Sequence, residues 1–128
     1  MPSPLKILVV EDDPDLSEIL KQTLQEAGYE VVLARDGKMG MKSLRKESFD
    51  LVITDVFMEV MDGLELIQTI RKEHEKLPIL ALSGGGILSP KNVKSMAISF
   101  GANGFLQKPL SKTPFLAEVA ALLAIEPN

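Results

Sequence analysis

The sequence contains no cysteine among its 128 residues. This absence excludes disulfide bonds, cysteine-based zinc sites and thiol nucleophiles, and it is compatible with a cytoplasmic protein. Basic residues are also few, since 14 lysines and arginines face 18 acids, which gives a net charge of -4 and a pI near 5.0. Because nucleic acids bind basic surfaces, this balance argues against direct binding to DNA or RNA.

Long hydrophobic runs are absent as well. The apolar run at 119–125 is far shorter than the roughly 20 residues that a membrane helix needs. The apolar stretch at 7–10 leads directly into Glu11-Asp12-Asp13, which is not the pattern of a signal peptide. The sequence therefore predicts a protein without a membrane partner. Its composition, 45% hydrophobic and 25% charged, is that of one globular domain over residues 1–128, with 125–128 as a tail or the start of a linker.

Short apolar runs alternate with segments of helical periodicity along the whole chain. Near-continuous apolar strands separated by helices are typical of a parallel sheet that is covered on both faces. Right-handed crossovers then favour a doubly wound five-stranded (βα)5 sheet with strand order 2-1-3-4-5. The predicted strands are 5–10, 30–33, 51–54, 79–82 and 104–106, and the predicted helices are 14–27, 38–46, 64–75, one from the Ser89 cap and Pro90 to Gly101, and 114–124.

Acidic residues follow the two strands that flank the switch point of this topology. Glu11-Asp12-Asp13 follow strand 1, and Asp55 ends strand 3. Ligands of such sheets bind outside the carboxyl ends of the strands at that point. Clustered carboxylates repel one another unless a cation compensates them. Mg²⁺ suits an open site with a few carboxylates, and it would allow a phosphate group to approach.

Further polar residues follow the other strands at the same edge. Strand 4 ends in Ser83, and strand 5 is followed by Lys108. A metal ion, a cation, a hydroxyl and a carboxylate nucleophile are the components of phosphoryl transfer. A carboxylate such as Asp55 acts as the nucleophile by becoming an aspartyl phosphate.

The four motifs together resemble the receiver domain of two-component response regulators, in the single-domain form typical of chemotaxis regulators. The resemblance covers essentially the whole chain and implies the flavodoxin-like fold. Its motifs are Glu11-Asp12-Asp13, the run Asp55-x-x-Met58-x-x-x-Asp62-Gly63, Ser83, and Phe105-x-x-Lys108-Pro109.

The resemblance implies a role for each matching residue. Asp55 would accept the phosphoryl group, and Ser83 and Lys108 would contact it. Asp13 would bind Mg²⁺ directly, with Asp12 close by, directly or through water. Asp55 and the backbone carbonyl of Phe57 would be further ligands. The remaining implied roles are the switch pair Ser83 and Phe105, a cis peptide before Pro109, and a structural glycine at Gly63.

The resemblance also implies partners. A histidine kinase or a phosphotransfer protein would supply the phosphoryl group, and partners would recognise the surface formed by helix 4, strand 5 and helix 5. The output is left open: the domain acts alone on a downstream protein, or it belongs to a longer protein with an effector domain. In either case it is a signalling switch and not an enzyme with turnover.

Three other functions are compatible with a fold of this kind. An FMN-binding protein would need a glycine- and hydroxyl-rich loop after strand 1, where this chain has acids. A phosphatase of the haloacid dehalogenase type would need an acid two residues after Asp55, where the sequence has Phe57. A receiver fold used only for binding, without phosphorylation, is opposed by the complete set of acids together with Ser83 and Lys108.

Two segments depart from the pattern of the receiver family. Glu59 stands where proline is usual, which predicts a looser loop and more negative charge near Asp55. Ser83 leads into Gly84-Gly85-Gly86 where alanine commonly comes first, which predicts a flexible loop.

Overall fold

The fold is a five-stranded parallel sheet with helices on both faces. It is seen in a computed structural model that describes residues 4–58, 61–84 and 90–124. The strands are β1 (Lys6–Val10), β2 (Glu30–Ala34), β3 (Leu51–Asp55), β4 (Ile79–Ser83) and β5 (Gly104–Gln107). The helices are α1 (Pro14–Glu26), α2 (Gly37–Lys46), α3 (Gly63–Glu73), α4 (Pro90–Phe100) and α5 (Lys112–Leu123).

The sheet has the order β2-β1-β3-β4-β5, and all neighbouring strands run parallel. This confirms the predicted doubly wound topology. The chain therefore reverses its direction of winding between β1 and β3, and their carboxyl ends form the crevice in which ligands of such folds bind.

The core consists of two layers, one on each face of the sheet. Side chains alternate along each strand, so that in β1 Leu8 and Val10 face one layer while Ile7 and Val9 face the other. The first layer contains buried residues of α2, α3 and α4, and the second contains buried residues of α1 and α5. Burial on both faces explains why the strands read as continuous apolar runs.

Element ends differ from the predictions by one or two residues. α3 begins one residue early, at Gly63, because the Asp62 carboxylate accepts a hydrogen bond from the Glu65 N–H at 2.9 Å and caps the helix. α5 begins at Lys112 and not at Pro114, since proline is tolerated in the first helical turn, where its missing N–H is not needed. The predicted cap Ser89 lies outside the described residues.

The amino-terminal edge of the sheet is stabilised by Arg71 of α3. Its guanidinium donates hydrogen bonds to the Gly101 carbonyl at 2.9 Å, the His74 carbonyl at 2.8 Å and Asn103 Oδ1 at 2.7 Å. Asn103 Oδ1 also accepts from the Ile79 N–H at 2.9 Å. The fork of Arg71 thus joins the end of α3, the α4–β5 turn and the start of β4.

We expect Arg71→Lys to lower the free energy of unfolding by about 1–2 kcal/mol, because an ammonium cannot reproduce three divergent guanidinium bonds. Urea unfolding measures the change. Arg45→Lys is the matched control, since the one partner of Arg45 within the described part of the chain is Glu73, on an exposed surface, and its replacement should change little. Equal losses in the two variants would contradict the role given to Arg71.

Candidate functional site

The strand register brings Glu11 and Asp55 to the same edge of the sheet. Val10 is paired with Thr54, so the next residues of β1 and β3, Glu11 and Asp55, are neighbours. Both side chains are nearly inaccessible, at 2% exposure for Glu11 and 5% for Asp55. A buried acid that follows an apolar strand needs a charged or hydrogen-bonding partner, because isolated charges are costly to bury.

Three carboxylates converge at this edge. One oxygen each from Glu11, Asp12 and Asp55 lies within 4.8 Å of the others. Glu11 and Asp55 are buried, whereas Asp12 is exposed at the mouth of the crevice. Burial raises the pKa of the Asp12 carboxyl, and hydrogen bonding and negative charge from Glu11 raise it further. The cluster is therefore short of positive charge on its open side.

Lys108 supplies positive charge on the buried side of the cluster. Its Nζ donates to Glu11 Oε1 at 2.7 Å and to Asp55 Oδ2 at 2.9 Å. Burial alone would lower the pKa of Lys108, but hydrogen bonds and charge from Glu11 and Asp55 outweigh burial and raise this pKa. Lys108 therefore stays protonated and joins residues that are 97 and 53 positions away in sequence.

The backbone around Asp55 is fixed by close packing. Asp55 Oδ1 accepts a hydrogen bond from the Phe57 N–H at 3.3 Å. Gly63, the first residue of α3, donates its N–H to the Val56 carbonyl at 2.8 Å. A Cβ at Gly63 would lie 2.0 Å from the Asp55 carbonyl oxygen, so only glycine fits this position. The start of α3 thus abuts the peptide that carries Asp55.

Asp13 has a different place from the one predicted. Its carboxylate caps α1 by accepting hydrogen bonds from the N–H groups of Asp15 at 3.0 Å and Leu16 at 3.4 Å. Among the described residues, the acids close enough to share a cation are Glu11, Asp12 and Asp55. The Asp13 carboxylate therefore lies at the start of α1 and outside this cluster, and its role as a direct ligand stays a prediction.

Glu11 was missed as a site residue. A signal for it exists in the sequence, because Glu11 and Asp55 each follow a run of four strand residues, 7–10 and 51–54, that the register aligns. When the ends of β1 and β3 are aligned, the acid that directly follows β1 is Glu11. When the start of α1 is taken as the reference, the acid that directly precedes the helix is Asp13.

The other predicted residues lie along the same edge. Ser83 is the last residue of β4, is buried, and accepts a hydrogen bond from the Lys108 N–H through its carbonyl at 2.8 Å. The Lys108–Pro109 peptide is cis, as predicted. Phe105 is partly buried and packs against the layer of α2, α3 and α4. Glu59, Gly85 and Gly86 lie outside the described residues.

The donor set fits a hard divalent cation. All three clustered side chains offer carboxylate oxygens, and one of them stands at the open mouth of the site. Mg²⁺ favours oxygen ligands, in which a few carboxylates bind the ion and water molecules complete its coordination.

The described helices include none with the length and apolarity required to cross a bilayer.

A doubly wound sheet with acids and a lysine at its switch point is typical of phosphoryl-accepting signalling domains. Residues 7–120 match the family model of the response regulator receiver domain. The chain belongs to this family, the receiver domains of two-component response regulators.

Solved structures agree with this assignment. The chemotaxis protein CheY4 of Vibrio cholerae is 34% identical, with a TM-score of 0.85 over 93% of this chain and 98% of that one. A putative response regulator from Chloroflexus aurantiacus is 32% identical, with a TM-score of 0.88 over 95% of this chain and 99% of that one. Both likenesses confirm the CheY-like, flavodoxin-like architecture.

Among related sequences, the uncharacterized transcriptional regulatory protein YrkP of Bacillus subtilis is 40% identical over 118 residues, which cover 92% of this chain and 49% of YrkP. The alkaline phosphatase synthesis transcriptional regulatory protein PhoP of the same species is 32% identical over 92% of this chain and 48% of PhoP. The chain thus spans about half the length of these relatives.

We expect Asp12→Asn to weaken Mg²⁺ binding strongly in isothermal titration calorimetry, because it removes a clustered carboxylate at the mouth of the site. Asp13→Ala should leave Mg²⁺ affinity nearly unchanged but lower the free energy of unfolding by about 1 kcal/mol, since it removes a helix cap. If Asp13→Ala weakened Mg²⁺ binding as much as Asp12→Asn, the reassignment of these two acids would be wrong.

Proposed function

We propose that this receiver domain accepts a phosphoryl group on Asp55, in a Mg²⁺-dependent transfer from a phosphohistidine of a histidine kinase or phosphotransfer protein. The observation that carries the proposal is the convergence of Glu11, Asp12 and Asp55 within 4.8 Å, with Lys108 bonded to two of them. Among these acids, Asp55 ends the central strand β3, which lies in the sheet between β1 and the pair β4 and β5.

In the proposed step, an Asp55 carboxylate oxygen attacks phosphorus while the P–N bond to the partner's imidazole breaks. The imidazole leaves with the bonding electrons and takes up a proton, and Asp55 becomes an aspartyl phosphate. Asp55 is suited to this role because its carboxylate is held at both oxygens, by Lys108 and by the Phe57 N–H. Positioning of this kind is the main contribution that a protein makes to phosphoryl transfer.

Asp12 and Asp55 would hold Mg²⁺ through their carboxylates, Glu11 would act directly or through water, and the Phe57 carbonyl would be a further ligand. When bound, the ion neutralises the carboxylates and the phosphoryl oxygens, which would otherwise repel each other. Phe57 is suitably placed because it lies two residues after Asp55 and its N–H already bonds to that carboxylate.

The switch is proposed to run through Lys108, Ser83 and Phe105. Lys108 would exchange its bonds to Glu11 and Asp55 for a phosphoryl oxygen, and the Ser83 hydroxyl would donate to another. Phe105 is partly buried in β5, between α4 and α5, so a rotation of its ring would alter the α4–β5–α5 surface. Partners would recognise that altered surface.

The proposed setting is the cytoplasm, and the proposed role is that of a switch which catalyses only its own phosphorylation and dephosphorylation. The output is a downstream protein or an effector domain, and the names of YrkP and PhoP, both transcriptional regulators, favour an effector domain. FMN binding is disfavoured because Glu11 and Asp12 place negative charge where a flavin phosphate would bind.

Intact-mass spectrometry after incubation with Mg²⁺ and acetyl phosphate tests the proposal. We expect a single phosphoryl adduct that is stable in acid and labile in base, and its loss in Asp55→Asn. Asp15→Asn is the control, because this exposed acid of α1 should leave labelling intact. A wild-type protein that forms no adduct and does not respond to beryllofluoride would exclude phosphoacceptance, and an adduct that persists in Asp55→Asn would place the nucleophile elsewhere.

A second variant tests the role of Lys108. We expect Lys108→Ala to keep its Mg²⁺ affinity or gain some, because the ammonium competes with a cation for Glu11 and Asp55. The variant should lose the beryllofluoride-induced NMR shifts of α4, β5 and α5. Lys112→Ala is the control, since Lys112 is exposed and lies 3.8 Å from the equally exposed Glu26. A clear loss of Mg²⁺ affinity in Lys108→Ala would contradict this role.

A further inference from the structure

Arg35 stands next to the site along the carboxyl edge of the sheet. Ala34, the last residue of β2, is paired with Val10, and its carbonyl accepts a hydrogen bond from the Glu11 N–H at 3.0 Å. Arg35 is therefore the neighbour of Glu11, just as Glu11 is the neighbour of Asp55. Two strand spacings, about 10 Å, separate the backbones of Arg35 and Asp55, which is a distance that an arginine side chain largely spans.

The local backbone holds Arg35 in this place. The following residue, Asp36, caps α2 by accepting a hydrogen bond from the Met39 N–H at 2.8 Å. Side chains alternate between the two faces at the end of β2, and Ala34 packs in the layer beneath α2, as Val10 does. Arg35 and Glu11 each follow one of these residues, so alternation directs both toward the opposite face, which carries α1.

A cleft of about 520 Å³ connects Arg35 to Glu11 and Asp12, the two clustered acids that follow β1. Its walls include Glu11, Asp12, Ser17, Glu18 and Arg35. This volume falls within the range of about 300–1,000 Å³ that is usual for small-molecule sites. Lys108 and Asp55 do not line the cleft, so it leads to the site beside Glu11 and Asp12.

Arg35 is exposed and makes no hydrogen bond or ion pair with any part of the chain that the structure describes. The acid on the opposite wall, Glu18, instead accepts a bond from Gln22 Nε2 at 3.5 Å. The three carboxylates and Lys108 together carry two negative charges, which one divalent cation would balance. A dianionic phosphoryl donor would then still lack a partner for its own charge.

We infer that Arg35 binds the phosphoryl donor, contacting anionic oxygens of the donor as it enters the cleft beside Glu11 and Asp12. The inference rests on the proposed phosphoacceptor function and adds a recognition element for the donor. A planar guanidinium is suited to this task because it bonds to phosphate or carboxylate oxygens in pairs. With acetyl phosphate, Asp55 attacks phosphorus, the bond from phosphorus to the acetyl oxygen breaks, and acetate leaves as an anion.

The test compares Arg35→Gln with Lys38→Gln. Lys38 is an exposed cation in the first turn of α2 that does not line the cleft, so both variants remove one positive charge from the same surface. The initial rate of adduct formation, followed by intact mass at several acetyl phosphate concentrations, gives a second-order rate constant. Thermal unfolding verifies that both variants are folded, and calorimetry measures their Mg²⁺ affinity.

We expect the second-order rate constant of Arg35→Gln to fall about five- to tenfold, which corresponds to the loss of one charge-assisted contact. Arg35→Lys should recover part of the rate, Lys38→Gln should remain close to wild type, and Mg²⁺ affinity should not change. The fall in the rate constant caused by Arg35→Gln should be smaller with phosphoramidate as the donor, because phosphoramidate carries less net negative charge than acetyl phosphate.

Equal rate constants in Arg35→Gln and Lys38→Gln would overturn the inference while leaving phosphorylation of Asp55 intact. An Arg35→Gln variant that lost Mg²⁺ affinity in proportion to its rate would also overturn it, because the arginine would then act through the metal site. A wild-type protein that formed no adduct would overturn the proposed function together with this inference.

Discussion

The contact of Lys108 with Glu11 and Asp55 is the interaction on which the site depends. Two nearly buried carboxylates lie close together, and without a cation between them at least one would take up a proton or turn away. The ammonium lies 2.7 Å from one and 2.9 Å from the other, so it compensates the negative charge of both in a place that water hardly reaches. Removing one member of such a buried set leaves the others uncompensated, which is why these groups act as a unit.

The sheet makes this contact possible between residues far apart in sequence. Glu11 follows β1, Asp55 ends β3 and Lys108 follows β5, and parallel pairing directs all three strand ends to one edge. The position of β3 is fixed further by Gly63, where any side chain would collide with the Asp55 carbonyl. The fold thus places the charges through the register of its strands, with the start of α3 as a further support. The positions of these charges are therefore as rigid as the core beneath them.

Much of this could be predicted from the sequence, for physical reasons. The apolar runs predict buried parallel strands. A carboxylate or lysine at the end of such a run therefore has to lie at the carboxyl edge of the sheet. This reasoning identified Asp55, Ser83 and Lys108. At β1 three consecutive acids follow the strand, and periodicity alone does not say which of them face the crevice. The register of Val10 with Thr54 and the capping of α1 by Asp13 decide the question, and both are three-dimensional facts.

The same charges explain why a site of this kind responds to its ligands. With Lys108 as the only cation in contact with the described cluster, the ammonium is held on the buried side and the exposed Asp12 is left without a counter-ion. A divalent cation at Asp12 and Asp55 would weaken the hold of these acids on the lysine, and a phosphoryl group would give the lysine a stronger partner. The backbone N–H of Lys108 is bonded to Ser83, and Lys108 directly follows β5, so a displacement of this lysine would shift the strand that contacts α4 and α5. In the proposed switch, a local exchange of ionic partners would thereby be coupled to the output surface without any contact between the phosphoryl group and that surface.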